Sequence, residues 1–409
     1  MRSDARTRRT ARIRTASALV SLVVLLVGVV AWYGMRTLPA ARYGPRRLAS
    51  LPPDPGDYAG IDLAGADLRT LNLRDKGELL LAEASFDSMT VWPMWPWKMP
   101  AGFNPKVILE EGKNPGLGLR TLHRKGITGE GIAIGIIDQD LLVDHIEYRD
   151  RVRLYDEVDA RGQAEIHGAA VASIAAGRTV GAAPGADIYY FAIRMDPDRK
   201  CRNVSTAIDR ILEINKGLPE GKKIRVVATS CSWRLGEPGY KEADSAARKA
   251  KAQGVFVIST VVDRYYDLAF QGLGRTPGRD PDDVSSYTPG AWWASEFEKW
   301  YPPGAKSTRL LVPMDSRTVS SHLAKDAYTF YRVCGWSWCV PYIAGMYALA
   351  LQVHEDLTVD EFARAAVATG RYTTIMVDGE EVEFGPILNP PGLIEHLATL
   401  PSTESHLAR

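Results

Sequence analysis

The chain has 409 residues, 45% of them hydrophobic, with 50 lysines and arginines against 49 aspartates and glutamates. That apolar content supplies a large folded core and excludes a disordered polar chain. A formal net charge of +1 leaves no electrostatic footprint for binding nucleic acid.

At the N-terminus Arg2, Arg6, Arg8, Arg9, Arg12 and Arg14 precede an uncharged stretch from Ala16 to Met35. About twenty residues at roughly 1.5 Å each cross the roughly 30 Å hydrocarbon layer, so residues 15–35 are expected to form one transmembrane helix. The excess of positive charge puts residues 1–14 in the cytoplasm, which makes this a single-pass protein of the cell membrane with its main domain outside the cytoplasm. A cleaved signal peptide is the rival reading; the length of the stretch and the interfacial pair Trp32-Tyr33 favour a retained anchor. Residues 36–57, bearing Pro and Arg, read as a linker.

Residues 58–115 form an N-terminal extension with a five-residue rhythm: Ile61-Asp-Leu-Ala-Gly, Ala66-Asp-Leu-Arg-Thr and Leu71-Asn-Leu-Arg-Asp. It resembles pentapeptide repeats, which build a four-sided β-helix. Three copies are too few for a free-standing solenoid, so the extension is expected to pack on the domain that follows. The tryptophans of Trp92-Pro-Met-Trp-Pro-Trp97 are expected to dock there too, with bilayer or substrate contact as alternatives.

From residue 116 to about 400 apolar runs alternate with helical stretches, and residues 401–409 are a tail. Gly131 to Asp138 reads as a strand buried on both faces and ending in a carboxylate. His167 opens a small-residue helix, Ile166 to Gly177. Strands are expected at Ile188 to Ile193, Ile224 to Ser232, Val255 to Val262 and Leu310 to Val312, with helices at Val204 to Asn215 and Lys241 to Gln253. This alternation predicts an α/β fold, a mostly parallel sheet with helices on both faces and a site at the C-terminal edge of its strands. Gly272 to Ser307, rich in Pro, Gly, Asp and aromatics, reads as a long loop bordering that site. Near the end, Gly335-Trp-Ser-Trp-Cys-Val-Pro341 puts Ser337 at a turn entering an apolar helix, beside free amide donors and the positive end of the helix dipole.

An acid, a base and a nucleophile therefore occur in the order Asp138, His167, Ser337. Singly, each is as readily a cap of a turn or helix; jointly, that reading is much weaker. Asp140 and Asp144 lie near Asp138 but read as solvated loop residues, and we assign no metal. Gly126, Gly129 and Gly131 precede a strand instead of following one, against a dinucleotide site. Cys201, Cys231, Cys334 and Cys339 lack metal-ligand spacing, and an outward-facing domain could oxidise some of them; for Cys334 and Cys339, which bracket Ser337, free buried thiols are expected, with a bridge between the two as the alternative.

These segments resemble the subtilisin-like serine peptidases of the S8 family. Ile137-Asp138-Gln-Asp140 with His145-Ile-Glu-Tyr148 stands for V-I-D-[ST]-G and H-P-D-L. His167-Gly-Ala-Ala-Val-Ala-Ser-Ile-Ala175, followed by Gly181-Ala-Ala-Pro-Gly-Ala186, matches H-G-T-x-V-A-G-x-I-A and G-V-A-P-x-A. Gly335-Trp-Ser-Trp-Cys-Val-Pro-Tyr-Ile-Ala-Gly345 stands for G-T-S-M-A-x-P-H-V-A-G. The resemblance implies a subtilisin-like, doubly wound domain over residues 116–400. It also implies a serine endopeptidase in which Asp138, His167 and Ser337 hydrolyse peptide bonds of a peptide or protein through an acyl-enzyme, without cofactor or metal. Asp263 falls where the family carries its oxyanion-binding asparagine; it would either repel the developing charge or, if buried and protonated, donate to it. Ser232, Trp233 and Arg234 occupy the place of the family's substrate-pairing S-L-G, Trp336 and Trp338 flank the nucleophile, and Val262 replaces a small glycine. His145 matches a histidine that is not catalytic in the family. The alternative function is a weak or inactive peptidase-like domain that binds peptides or envelope proteins.

Overall fold

A computed structural model describes residues 46–53, 60–302 and 307–401. The expected basic tail and transmembrane helix, most of the linker and nearly all of the C-terminal tail lie outside them. Among the described residues no helix is long and apolar enough to cross a membrane. The unit that starts at Arg47 is the one set out below.

In the extension, most apolar positions of the repeats point inward: Ile61, Leu63, Ala66, Leu68 and Leu73 have almost no exposed surface, and Leu71 is half-buried. Strands β1 (Ile61–Asp62) and β2 (Ala84–Asp87) pair in parallel. Successive repeats hydrogen-bond to later chain, Leu63 N–H to Ser85 O at 2.8 Å, Leu68 N–H to Val91 O at 2.8 Å and Leu73 N–H to Lys98 O at 2.7 Å. Each repeat thus covers the next stretch of chain, and the coil does not propagate as a solenoid. Trp92 joins this core through edge contacts with Phe86 at 5.3 Å, whereas Trp95 and Trp97 stack on each other at 4.8 Å and stay exposed.

The first apolar run is strand β3 (Ala133–Asp138), buried at every position. With β4 (Val152–Asp159), β5 (Asp187–Ile193), β6 (Ile224–Thr229) and β7 (Phe256–Ser259) it forms an all-parallel sheet in the order β4-β5-β3-β6-β7. Helices α1 (Ile166–Ala176) and α4 (Cys339–Val353) pack together against it, as do α2 (Lys200–Gly217) and α3 (Tyr240–Ala252) on the other side. α2 and α3 are amphipathic, as surface helices must be. By contrast α1 and α4 are built of Ala, Gly and large apolars and are buried nearly all round. Close approach of these two needs Gly345, where a Cβ would stand 2.6 Å from Ala182 Cβ and 2.9 Å from Ala175 O.

Beyond β7 the chain leaves the parallel sheet, so the single sheet expected from the sequence is in fact divided. Strands β8 (Phe270–Arg275) and β9 (Tyr287–Pro289) make a hairpin, and β10 (Leu310–Pro313) lies parallel to β8. β11 (Arg317–Ser320) and β12 (Tyr328–Tyr331) make the next hairpin, which pairs with β2 and fastens the extension to the main core in a sheet of order β11-β12-β2-β1. The last hairpin, β13 (Arg371–Val377) and β14 (Glu380–Ile387), completes a second five-stranded sheet of order β9-β8-β10-β14-β13. Gly272 to Ser307 is therefore not a loop insertion. Its first residues belong to β8, where Gly272 makes room for Met314 and Gly274 lets Pro289 O approach; its turn residues lie between β8 and β9, and a short helix follows at Ala291–Ala294.

Candidate active site

Strand register decides where the chemistry collects. Asp138 is the last residue of β3, Ile137 lies opposite Thr229 at the end of β6, and Thr229 lies opposite Ser259 at the end of β7. The connections leaving β3 and β6 run to opposite sides, so the crevice beyond Asp138 and Thr229 is the topological switch point of the sheet.

Asp138 is fully buried, and its Oδ1 accepts the N–H of Gln139 at 2.8 Å. The same oxygen lies 2.6 Å from His167 Nδ1. Oδ2 has no hydrogen-bond donor among the described residues. His167 reaches the carboxylate because it is the second residue of α1 and is followed by Gly168; a Cβ there would collide with Gln139 O and the Tyr190 hydroxyl. About a quarter of the His167 side chain remains exposed. Burial pulls its pKa down, but the charge of Asp138 and the hydrogen bond to it, with Glu165 adding, outweigh burial and raise it above its ordinary value.

Ser337 lies in a short 3-10 turn, Trp336–Trp338, leading directly into α4. The turn sits beside the imidazole: the Trp338 ring meets His167 edge-on, centroids 5.5 Å apart at 76°. The half-buried Ser337 hydroxyl donates to Ser230 O at 3.2 Å, and Ser230 Oγ donates to Ser337 O at 2.9 Å. This reciprocal pair ties the Ser337 turn to the residue immediately after β6.

The contact at Ser230 revises the expected cleft wall. Strand β6 stops at Thr229, so the serine meeting Ser337 is Ser230, two residues before Ser232. Ser232 is half-buried and Arg234 exposed, but Trp233 has no exposed surface; its indole N–H donates to the Tyr265 hydroxyl at 2.6 Å. Trp233 is a core residue and not a surface that substrate touches. Trp336 is half-buried, donates its indole N–H to Gln271 Oε1, and is met edge-on by Trp292 at 4.7 Å and Trp300 at 6.0 Å. These tryptophans form an aromatic wall beside Ser337.

Asp263 lies on a 3-10 turn, Val262–Arg264, just after β7 and on the same rim. Its side chain is exposed, which removes the burial a protonated, hydrogen-bond-donating carboxyl would require. The turn is held to the β6 loop by Arg264, whose guanidinium donates to Trp233 O at 2.7 Å.

Asp140 is buried and not solvated: its carboxylate takes the N–H groups of Arg161 and Gly162, both at 3.0 Å, and so fastens the loop ahead of α1. His145 is buried with its ring against Ala327 O at 2.9 Å, and burial lowers its pKa. Cys334 and Cys339 are free, and burial pushes both thiols well above the ordinary value, which removes them as nucleophiles.

Residues 129–295 match the model of the subtilase family, a segment that includes Asp138 and His167 and ends before Ser337. The subtilisin-like protease PopC of Myxococcus xanthus is 26% identical over 280 residues, 60% of this chain and 56% of that protein, so the chain spans little more than half the length of this relative. Among solved structures, the A-subunit of the AB5 toxin from E. coli is 14% identical with a TM-score of 0.48, covering 70% of this chain and 98% of that one. The prenylagaramide maturation protease PagA is 17% identical with a TM-score of 0.45, covering 68% and 98%. Residues 129–295 therefore carry a domain of the subtilase family, and over a longer stretch the chain is similar to a subtilisin-like protease.

Proposed function

We propose that this protein is a membrane-anchored serine endopeptidase, held by the uncharged segment at residues 15–35, that cleaves peptide or protein substrates outside the cytoplasm. The observation that carries the reading is the 2.6 Å contact of a partly exposed His167 with the buried carboxylate of Asp138, beside a serine at a helix entrance.

In this mechanism rotation about the Ser337 side chain turns its hydroxyl from Ser230 O to His167 Nε2. Such contacts are often loose before substrate binds. The oxygen attacks the scissile carbonyl as His167 takes its proton, and Asp138 holds the Nδ1–H and stabilises the imidazolium. The Ser337 N–H donates to the developing oxyanion. His167 then delivers the proton to the leaving amine, and water repeats the cycle on the acyl-enzyme. Substrate lies along the chain after β6, near Ser232 and Arg234, as an added strand.

Turnover of quenched-fluorescent peptides by the full-length protein should vanish in Ser337→Ala. Equal turnover by both proteins would remove the serine mechanism, and absence from both would favour a binding domain. The pH dependence adds a second check. His167 works as a base only when neutral and its pKa is raised, so kcat/KM should fall on the acid side with a midpoint above about 6.5. A midpoint below that value would contradict the Asp138–His167 coupling.

A further inference from the structure

We propose that Asp315 is a positioning residue for this reaction, a buried carboxylate that fixes the Ser337 turn against the tryptophan wall beside it. The inference rests on the assignment of Ser337 above. Asp315 lies between β10 and β11 and is 2% exposed. Its Oδ1 accepts the N–H of Cys334 at 2.8 Å, three residues before Ser337. Its Oδ2 accepts the N–H of Ala291, also at 2.8 Å, at the start of the short helix Ala291–Ala294. The next residue on that helix, Trp292, packs edge-on against Trp336 at 4.7 Å. Asp315, Cys334, Trp336, Trp292 and Ala291 thus form a closed ring of hydrogen bonds, peptide chain and ring packing.

Two carboxylate oxygens meeting two backbone donors set the spacing of the elements that carry them. No neutral side chain of the same shape does this, because an asparagine turns an NH2 toward one of the two N–H groups. Loosening Oδ1 frees the turn that aims the Ser337 hydroxyl and amide. Loosening Oδ2 frees the aromatic wall alone.

Protonation acts on the same ring. Burial pushes the Asp315 carboxyl up to about 7, with the two backbone donors and Arg332 opposing it. Of the groups facing it, burial raises the Cys334 and Cys339 thiols well above their ordinary value, so they stay protonated near neutrality, and Arg332 sets a positive charge beside it. The acid limb of kcat/KM should therefore contain two ionisations, those of His167 and Asp315.

Two variants of the full-length protein test this. Asp315→Asn should react with a fluorophosphonate at Ser337 about tenfold more slowly, the scale of one lost hydrogen bond, and its acid limb should contain one ionisation. Ala291→Pro removes only the donor to Oδ2. Proline suits the first position of a helix, and Gly290 has the extended φ −62°, ψ 142° that precedes proline. This variant should raise KM several-fold with kcat little changed. A folded Asp315→Asn that labels at the wild-type rate with an unaltered acid limb overturns the proposal. If Asp315→Asn does not fold, an unchanged KM in Ala291→Pro overturns it. Wild-type protein that does not label at all removes the Ser337 assignment itself, a different failure.

Discussion

Replacing Asp138 by asparagine is expected to lower kcat by about 10⁴-fold while leaving KM within a few-fold. The reason lies in a single contact. His167 Nδ1 sits 2.6 Å from Asp138 Oδ1, so the carboxylate keeps the proton on Nδ1 and leaves Nε2 free for the role of base in the proposed mechanism. An asparagine can present its NH2 to Nδ1, which moves the ring proton to Nε2 and disables the base. Because Asp138 is fully buried at the end of a central strand and the substitution is isosteric, the fold should survive. Steady-state kinetics on the purified variant give the check. A loss below tenfold would mean that the buried carboxylate does not set the imidazole tautomer.

Replacing Asp263 by asparagine is expected to act in the opposite direction and raise kcat by about 10²-fold. Asp263 is exposed on the rim after β7, and the resemblance gives it the oxyanion-binding place, so its carboxylate would set a negative charge where negative charge develops on the substrate. Asparagine removes the repulsion and adds a donor, and one oxyanion donor is worth about 10²–10³ in rate. Because the oxyanion exists only after attack, the gain should fall on kcat with KM nearly constant. An unchanged or lower kcat would show that Asp263 does not face the oxyanion and that the Ser337 amide acts with some other donor.

The parts of the site legible in the sequence are those whose local pattern is dictated by burial. Asp138 ends an apolar run that can only be a strand covered on both faces, and His167 opens a helix of small residues that can only be packed tightly. The small side chains and Gly168 that bring His167 to Asp138 are themselves the motif. What the pattern does not carry is where a strand stops. β6 ends at Thr229, although apolar and small residues continue to Trp233, and this hides Ser230 as the partner of Ser337 and makes buried Trp233 look like a cleft residue. Likewise Gly272 and Gly274 read as loop residues because glycine is rare in strands, whereas here they allow Met314 and Pro289 to approach β8. Asp315 carries no local signal: its two donors lie 24 residues before it and 19 after it, and only the folded chain brings them together.

The most direct measurement is the position of a covalent fluorophosphonate adduct, read by peptide mass spectrometry on the intact protein at pH 8. The mechanism predicts a single adduct on the peptide containing Ser337, absent in Ser337→Ala and strongly slowed in His167→Ala. Labelling elsewhere, or no labelling of a folded wild-type protein, would contradict the assignment of Ser337 as the nucleophile.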